Sequence, residues 1–326
     1  MKYLVISLLS FVVINASAQQ QATAPVDNSI VTPYRPRVAE FTISNLYEYT
    51  THSNSKQFGN KTCEIESDTK IKARLGIPFI IKNDLLAGLQ LKYDRQTFGL
   101  EFEDSYPYEL YDYIQHTHFE SLGARFFFQK TIGEGKTLSG VAGVEIKSDK
   151  LVWNEGTSKY FVNLNYKVQK NENVKIGGGI ALAYTLGAPQ IYPIFFYENR
   201  LSKKWTMDLA LPKAVVMRYR ASDKFFISAK TEVKGWRYAV HNEELYDHET
   251  LTLRKSDLRF GLNLEHEIHD WLWAGVDAGY SKNLRHYLAK IGDRRRDAII
   301  DLESSNAPYV NVSLFIVPPR KIYNKR

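Results

Sequence analysis

From about residue 37 to residue 317, apolar side chains recur at every second position, in runs of roughly 10–14 residues. Leu85, Ala87, Leu89, Leu91 and Tyr93 alternate with Gly88, Gln90, Lys92 and Asp94. Tyr160, Val162, Leu164, Tyr166 and Val168 alternate with Lys159, Asn163, Asn165 and Lys167. Leu258, Phe260, Leu262 and Leu264 alternate with Arg259, Gly261, Asn263 and Glu265. A period of two sets an apolar row on one sheet face and a polar row on the other. A soluble sandwich shares that pattern, so run length decides. Soluble strands average about 5–6 residues, whereas a tilted strand needs about 9–11 to cross a bilayer.

Turn lengths agree. Residues 82–84, 170–173, 202–204 and 269–270 make tight turns, whereas 51–67, 99–116, 239–252 and 286–305 make long loops. Short periplasmic turns and long outer loops mark an outer-membrane barrel. Aromatic residues gather near strand ends, with Trp205 and Trp271 after tight turns and Trp236, Tyr238, Tyr93, Tyr184 and Tyr280 toward the other side. They suit two interfacial girdles. The fold expected is all-β, an antiparallel transmembrane β-barrel. Pro212 cannot donate to a ladder, so it splits the stretch after Trp205 into strands at 205–211 and 215–221. That split gives fourteen strands, an even number with both chain ends in the periplasm; without it there are twelve.

Composition removes the rivals. One cysteine, Cys63, excludes a disulfide scaffold, and 17 Phe with 21 Tyr exclude a disordered chain. A mean hydropathy of -0.35 excludes a helical membrane bundle. At the N-terminus Lys2, an apolar stretch over 4–14 and Ala16-Ser17-Ala18 read as a signal peptide cleaved after Ala18. The expected organisation is a signal peptide at 1–18, a periplasmic leader at 19–36, the barrel at 37–317 and a basic periplasmic tail at 318–326. The net charge is +7, with Arg320, Lys321, Lys325 and Arg326 concentrated in the tail, so nothing points to nucleic acid. The closing strand, ending at Val317, is placed for recognition by the barrel-assembly machinery, although Pro318-Pro319 and a basic tail stand where such a signal usually ends on an aromatic residue, and outer-membrane lipid is the surrounding partner.

Three stretches carry a resemblance: the strand-turn-strand of 75–91, the segment 191–211 with Tyr192-Pro193 and Leu211-Pro212, and the closing strand. In these the chain resembles an uncharacterised outer-membrane β-barrel family of Gram-negative bacteria, a domain of unknown function. The resemblance covers most of 38–317 and implies fold and location, with no activity attached.

No Gly-x-Ser-x-Gly elbow, His-Glu-x-x-His, P-loop or EF-hand loop occurs. An enzyme is not expected, with an outer-membrane hydrolase as the third reading, and no cofactor is expected. His241, Glu243, Glu244, Asp247 and His248 form a polar loop that is a weak metal candidate beside a solvated acidic loop. Tyr106, Tyr108, Tyr111 and Tyr113, among Asp104, Glu109 and Asp112, either stack on sugar rings or pack a loop over the barrel mouth. Arg294-Arg295-Arg296 either meets lipid phosphates or is a solvated run. Cys63 is expected in an outer loop.

The polar rows carry the main functional expectation. Lys72, Arg74, Lys92, Arg125, Lys167, Arg218 and Lys230 face the lumen in this register, with Asp94, Glu145, Glu232, Glu265 and Asp277. A water-filled lumen so lined makes a selective pore for small polar solutes. The alternative is a non-conducting barrel, its charges paired, whose outer loops bind glycan, lipid or a partner protein.

Overall fold

A computed structural model describes residues 35–101, 108–154, 156–183, 190–241 and 250–323. The signal peptide with Ala18, the leader up to residue 34, and Asp104, Tyr106, Tyr184, Glu243, Glu244, Asp247 and His248 lie outside the described residues. The strands are β1 (Ala39–Asn54), β2 (Lys61–Ile81), β3 (Leu85–Glu101), β4 (Phe119–Gly133) and β5 (Lys136–Ser148). Then come β6 (Ser158–Asn171), β7 (Val174–Ala183), β8 (Gln190–Arg200), β9 (Trp205–Leu211) and β10 (Ala214–Ser222). The last are β11 (Phe225–Val240), β12 (Leu251–His269), β13 (Leu272–Lys290), β14 (Ile300–Ser304) and β15 (Ala307–Ile316). Helix α1 (Glu109–His116) lies between β3 and β4, and α2 (Arg320–Tyr323) follows β15.

Each strand from β1 to β13 pairs antiparallel with the next, and β15 pairs with both β13 and β1 to close the barrel. β14 occupies the same column above β15, opposing Thr51 of β1 through Ser304 and Leu288 of β13 through Ile300. The column is one interrupted strand, so the wall has fourteen staves.

The lower part of each strand keeps the expected faces. Leu89, Leu164, Leu262 and Val312 are exposed on the outside. Ion pairs that skip a strand lie inside, where the sheet is concave: Lys92 of β3 reaches Glu145 of β5, and Lys230 of β11 reaches Asp277 of β13. Leu262→Arg is therefore expected to destabilise the folded barrel in lipid by roughly 2–4 kcal/mol. Asn163→Arg on the inner row is expected to cost much less. Equal losses in urea titrations of the two variants would contradict a lipid-facing outer row.

Higher up, the two rows trade faces. Along β3 the outer row runs from Leu89, Leu91 and Tyr93 to exposed Arg95 and Thr97, while the inner row runs from Lys92, Asp94 and Gln96 to buried Phe98 and Leu100. β1 and β2 make the same exchange by irregularity. Glu48 takes φ 30° and the β2 register shifts between Ile65 and Ser67, which turns Tyr49, Ile65 and Cys63 inward. Water surrounds this upper section, so its apolar side chains gather inside. Leu110, Tyr111 and Ile114 of α1 pack there with Phe98, Phe119, Trp236, Leu253 and Ile300. The Tyr111 hydroxyl contacts Ser53 and donates to the Thr51 carbonyl at 3.2 Å. With that core to close over, much of 51–67 and 286–305 is strand rather than loop.

The wall is lowest at β9 and β10. β8 meets β9 only from Phe195, opposite Leu211, and β10 meets β11 only up to Glu232, opposite Ala214. Above that hairpin, Ala239 of β11 instead pairs in parallel with Ser148 of β5. The upper section thus closes from β5 to β11, leaving β6–β10 as a shorter flank.

Candidate functional site

Between the upper core and the tight-turn end of the barrel, the inner rows assemble a charged chamber. Its ceiling is Tyr238, fully buried, whose hydroxyl crosses the lumen to donate to Gln96 Oε1 of β3 at 2.8 Å and accepts from Lys70 Nζ of β2 at 3.2 Å. The Lys147 and Lys70 ammonium groups lie 4.9 and 5.7 Å from its ring centroid. Trp236 and Tyr238 are therefore interior residues rather than girdle residues. They continue the inward parity of Lys230, Glu232 and Lys234, and that parity is visible in the sequence. Trp205, Trp271 and Tyr280 do face outward.

The predicted lumen residues sit in a mesh of pairs. Lys92 lies 2.9 Å from Asp94 and 2.8 Å from Glu145. Lys230 lies 3.0 Å from Glu232 and 2.6 Å from Asp277. Lys167 pairs with Glu198 at 2.5 Å, Arg218 with Asp208 at 3.7 Å, and Arg74 with Glu40 at 3.3 Å. Glu265 meets Arg37 at 2.5 Å. Arg125 donates to Gln90 at 2.5 Å. Lys72 has no hydrogen bond or ion pair among the described residues. The inner rows also carry Lys70, Lys147 and Lys234, and Lys159 and Arg259 from the polar rows, none of which the sequence reading named for the lumen. Side chains do not fill the chamber: the inward Lys234 and Arg74 are 47% and 37% exposed.

At the tight-turn end of the barrel the segments that flank β1 and β15 meet. Arg35, in the segment read as a leader, donates to Asp270 Oδ1 at 3.0 Å and to the Pro318 carbonyl at 2.8 Å, and pairs with Glu267 at 3.4 Å. Arg320 shares Asp270, at 3.0 Å, and Glu267. Beneath them Phe226, Trp273, Phe315 and Val317 form a small apolar cluster. Alternating Glu265, Glu267 and the nearby Asp270 were the signal for this clasp.

The remaining candidates resolve by position. Tyr108, Tyr111 and Tyr113 belong to the α1 region that covers the mouth, with Tyr111 buried. Arg295 forms a forked pair with Asp301, at 2.7–3.2 Å, and Arg296 pairs with Asp297 at 3.3 Å. Among the described residues no group of His, Cys, Asp and Glu is placed to hold a metal. His241 instead belongs to a clamp. Its Nδ1 lies 2.9 Å from Ser148 Oγ and 3.0 Å from Asp149 Oδ1, and its Nε2 lies 2.9 Å from Asn154 Nδ2. Hydroxyl and carboxylate crowd one ring nitrogen and Ser148 is fully buried, unlike a nucleophile with a base held from its far side. The clamp secures the β5–β11 contact, where the Asp149 N–H donates to the Ala239 carbonyl at 3.2 Å.

Burial pushes the Asp149 carboxyl up, but hydrogen bonds from Tyr113, His241 and Ser148 outweigh it and hold the group below the usual carboxylate range. A depressed acid stabilises the fold above its unfolded pKa of about 3.9 and loses that contribution as pH falls through the lower, folded value. The clamp should hold at neutral pH and loosen only in strong acid. Asp149→Ala is expected to expose 150–157 to protease at pH 7, at a cost of about 1.5–3 kcal/mol. Unchanged cleavage would contradict a clamp.

Cys63 lies within β2, not in a loop, and is buried, with Sγ 3.5 Å from the Glu64 carbonyl. An impermeant maleimide on intact cells should leave Cys63 unlabelled and label Asn54→Cys at the exposed end of β1. Labelling of Asn54→Cys only after the outer membrane is broken would invert the topology.

A closed barrel whose strands carry an apolar outer belt and a charged interior is an integral outer-membrane β-barrel. The chain belongs to the family described as domain of unknown function (DUF6268), whose model matches residues 48–316. No curated protein matches the chain. Solved structures similar to it include a FadL homologue of Pseudomonas aeruginosa, 10% identical, covering 93% of this chain and 94% of that chain with a TM-score of 0.48. An outer membrane channel from Pseudomonas putida F1 is 11% identical, covering 88% and 98% with a TM-score of 0.44. The Pseudomonas putida toluene transporter TodX is 11% identical, covering 90% and 92% with a TM-score of 0.39.

Proposed function

We propose that this barrel is a narrow channel for small polar solutes, with a preference for anions. The observation that carries the reading is the exposure of cations inside the wall, Lys234 and Arg74 above all. A solid interior would cover them. Positive side chains in a confined, weakly dielectric space favour anions at short range. The packed core under α1 argues against a straight axial exit. The low β9–β10 wall, with Lys213 at its tip, offers the shorter way out of the chamber. In proteoliposome swelling, small organic anions should enter faster than cations of equal size. Equal rates, or swelling no faster than in empty liposomes, would contradict the reading.

A second reading draws on the same outer core. Leu110, Phe119, Leu251 and Leu288 are fully buried, as in a sealed barrel whose outer surface binds glycan, lipid or a protein. Absence of any conductance, together with cell-surface binding lost on deletion of 99–116, would favour it.

A further inference from the structure

We propose that Lys72, Lys234 and Arg259 form a binding site for a small oxyanion inside the chamber. The site rests on the unfilled interior that the channel reading also uses, but not on conduction. Lys72 projects from β2, Lys234 from β11 and Arg259 from β12, all on inner rows. β2 meets β11 and β12 across the lumen just above, where Lys70 Nζ donates to the Tyr238 hydroxyl at 3.2 Å and Lys255 Nζ lies 4.0 Å from Asp68, so Lys72, the next inner residue below Lys70, faces the rows that carry Lys234 and Arg259. Cations crowded together with water partly excluded are costly unless negative charge balances them.

The protein's own acids supply that balance only in part: Asp257, opposite Lys234 in the β11–β12 register, accepts from Asn283 at 3.3 Å and makes no ion pair among the described residues, and the other nearby carboxylates are already engaged. Asp94, opposite Lys72 in the β2–β3 register, serves Lys92 at 2.9 Å and Lys70 at 3.6 Å. Glu145 serves Lys92 at 2.8 Å and Lys147 at 3.7 Å. Glu232 serves Lys234 at 2.9 Å and Lys230 at 3.0 Å. Asp68, which attracts Arg259, accepts from Gln96 at 2.5 Å and lies 4.0 Å from Lys255. Lys72 and Arg259 therefore remain without an ion-pair partner among the described residues, and Arg259 Nε is buried with no acceptor. Tyr309, 5.0 Å from the Arg259 guanidinium carbon, offers its ring face and no charge.

The geometry also says what kind of anion fits. A guanidinium presents a planar fork that matches two oxygens of one carboxylate or phosphate, and ammonium groups add point charges to the remaining oxygens. Chloride offers one centre and cannot meet the two N–H groups of the fork with two separate acceptors. A tetrahedral or planar oxyanion is the matching class, small enough to share a chamber with so many side chains.

The test is titration calorimetry of the full, folded barrel in detergent with inorganic phosphate, against chloride at equal ionic strength. Saturable binding of about one phosphate per barrel is expected, with no comparable signal from chloride. Arg259→Gln and Lys72→Gln should each weaken it by about tenfold or more. Lys72→Arg, which keeps the charge, should retain it and shows that the position tolerates change. Lys204→Gln, at a tight turn outside the chamber, should have no effect. Heat indistinguishable from chloride would mean that the cations are simply hydrated, and would overturn the site. So would phosphate binding that survives both chamber variants or falls equally with Lys204→Gln. Conductance without binding would overturn the site and leave the channel standing; binding without conductance would do the reverse.

Discussion

Exchanging Lys72 and Arg74 for glutamate is expected to change the sign of the barrel's ion preference, from anions to cations. The two side chains lie two residues apart on the inner row of β2, and Arg74 is among the most exposed charges in the chamber. Each exchange moves the local charge by two, so the pair moves it by four. Lys92 should stay out of the exchange. It holds both Asp94 and Glu145, and removing one partner from such a buried set costs about 3–5 kcal/mol. The effect should be read as a reversal potential across a planar bilayer under a salt gradient. It should be largest at low salt, since screening shortens to about 3 Å at 1 M. A reversal potential that keeps its sign would mean that ions do not pass these side chains.

The second large effect concerns the route. Lys213→Trp should lower conductance severalfold, because it sets an indole on the tip of the low hairpin, which is tied to β11 by the Val233 N–H bonding the Lys213 carbonyl at 2.9 Å. Lys213→Gln removes the same charge without the bulk and should leave most of the conductance. Leu110→Ala opens space in the outer core and should destabilise it by roughly 2–5 kcal/mol without raising conductance. The opposite pattern, with Leu110→Ala opening the pore and Lys213→Trp inert, would place the path through the axial mouth.

The membrane-spanning wall was legible because lipid and water impose one rule on each face. Most strands below the upper section follow period two, with exceptions such as Phe126 to Phe128 of β4 and Ile194 to Phe196 of β8, and even the β9–β10 hairpin followed from one proline in a run too long to be a single strand. Above the interface water lies outside, and the same alternation acquires the opposite meaning. Residues 51–67 and Trp236 to Tyr238 were misread there, as loop and girdle, because period two does not say which row faces in. The Lys230-to-Tyr238 parity held the answer for β11, whereas the irregularity at Glu48 and Glu66 has no comparable mark in the sequence. The chamber was half legible. Parity places Lys72, Lys92 and Asp94 on one face, but which acid serves which lysine depends on contacts across the barrel, such as Lys92 to Glu145. For the same reason the surplus on Lys72 and Arg259 could not be read from a net charge.

Single-channel recording of the purified wild-type barrel in a planar bilayer, with a salt gradient across it, tests the central claim most directly. Discrete conductance steps and a reversal potential displaced toward the anion equilibrium value are predicted, with the displacement shrinking as salt rises. A silent bilayer, or a reversal potential displaced toward the cation value at low salt, would contradict a cation-lined conducting chamber.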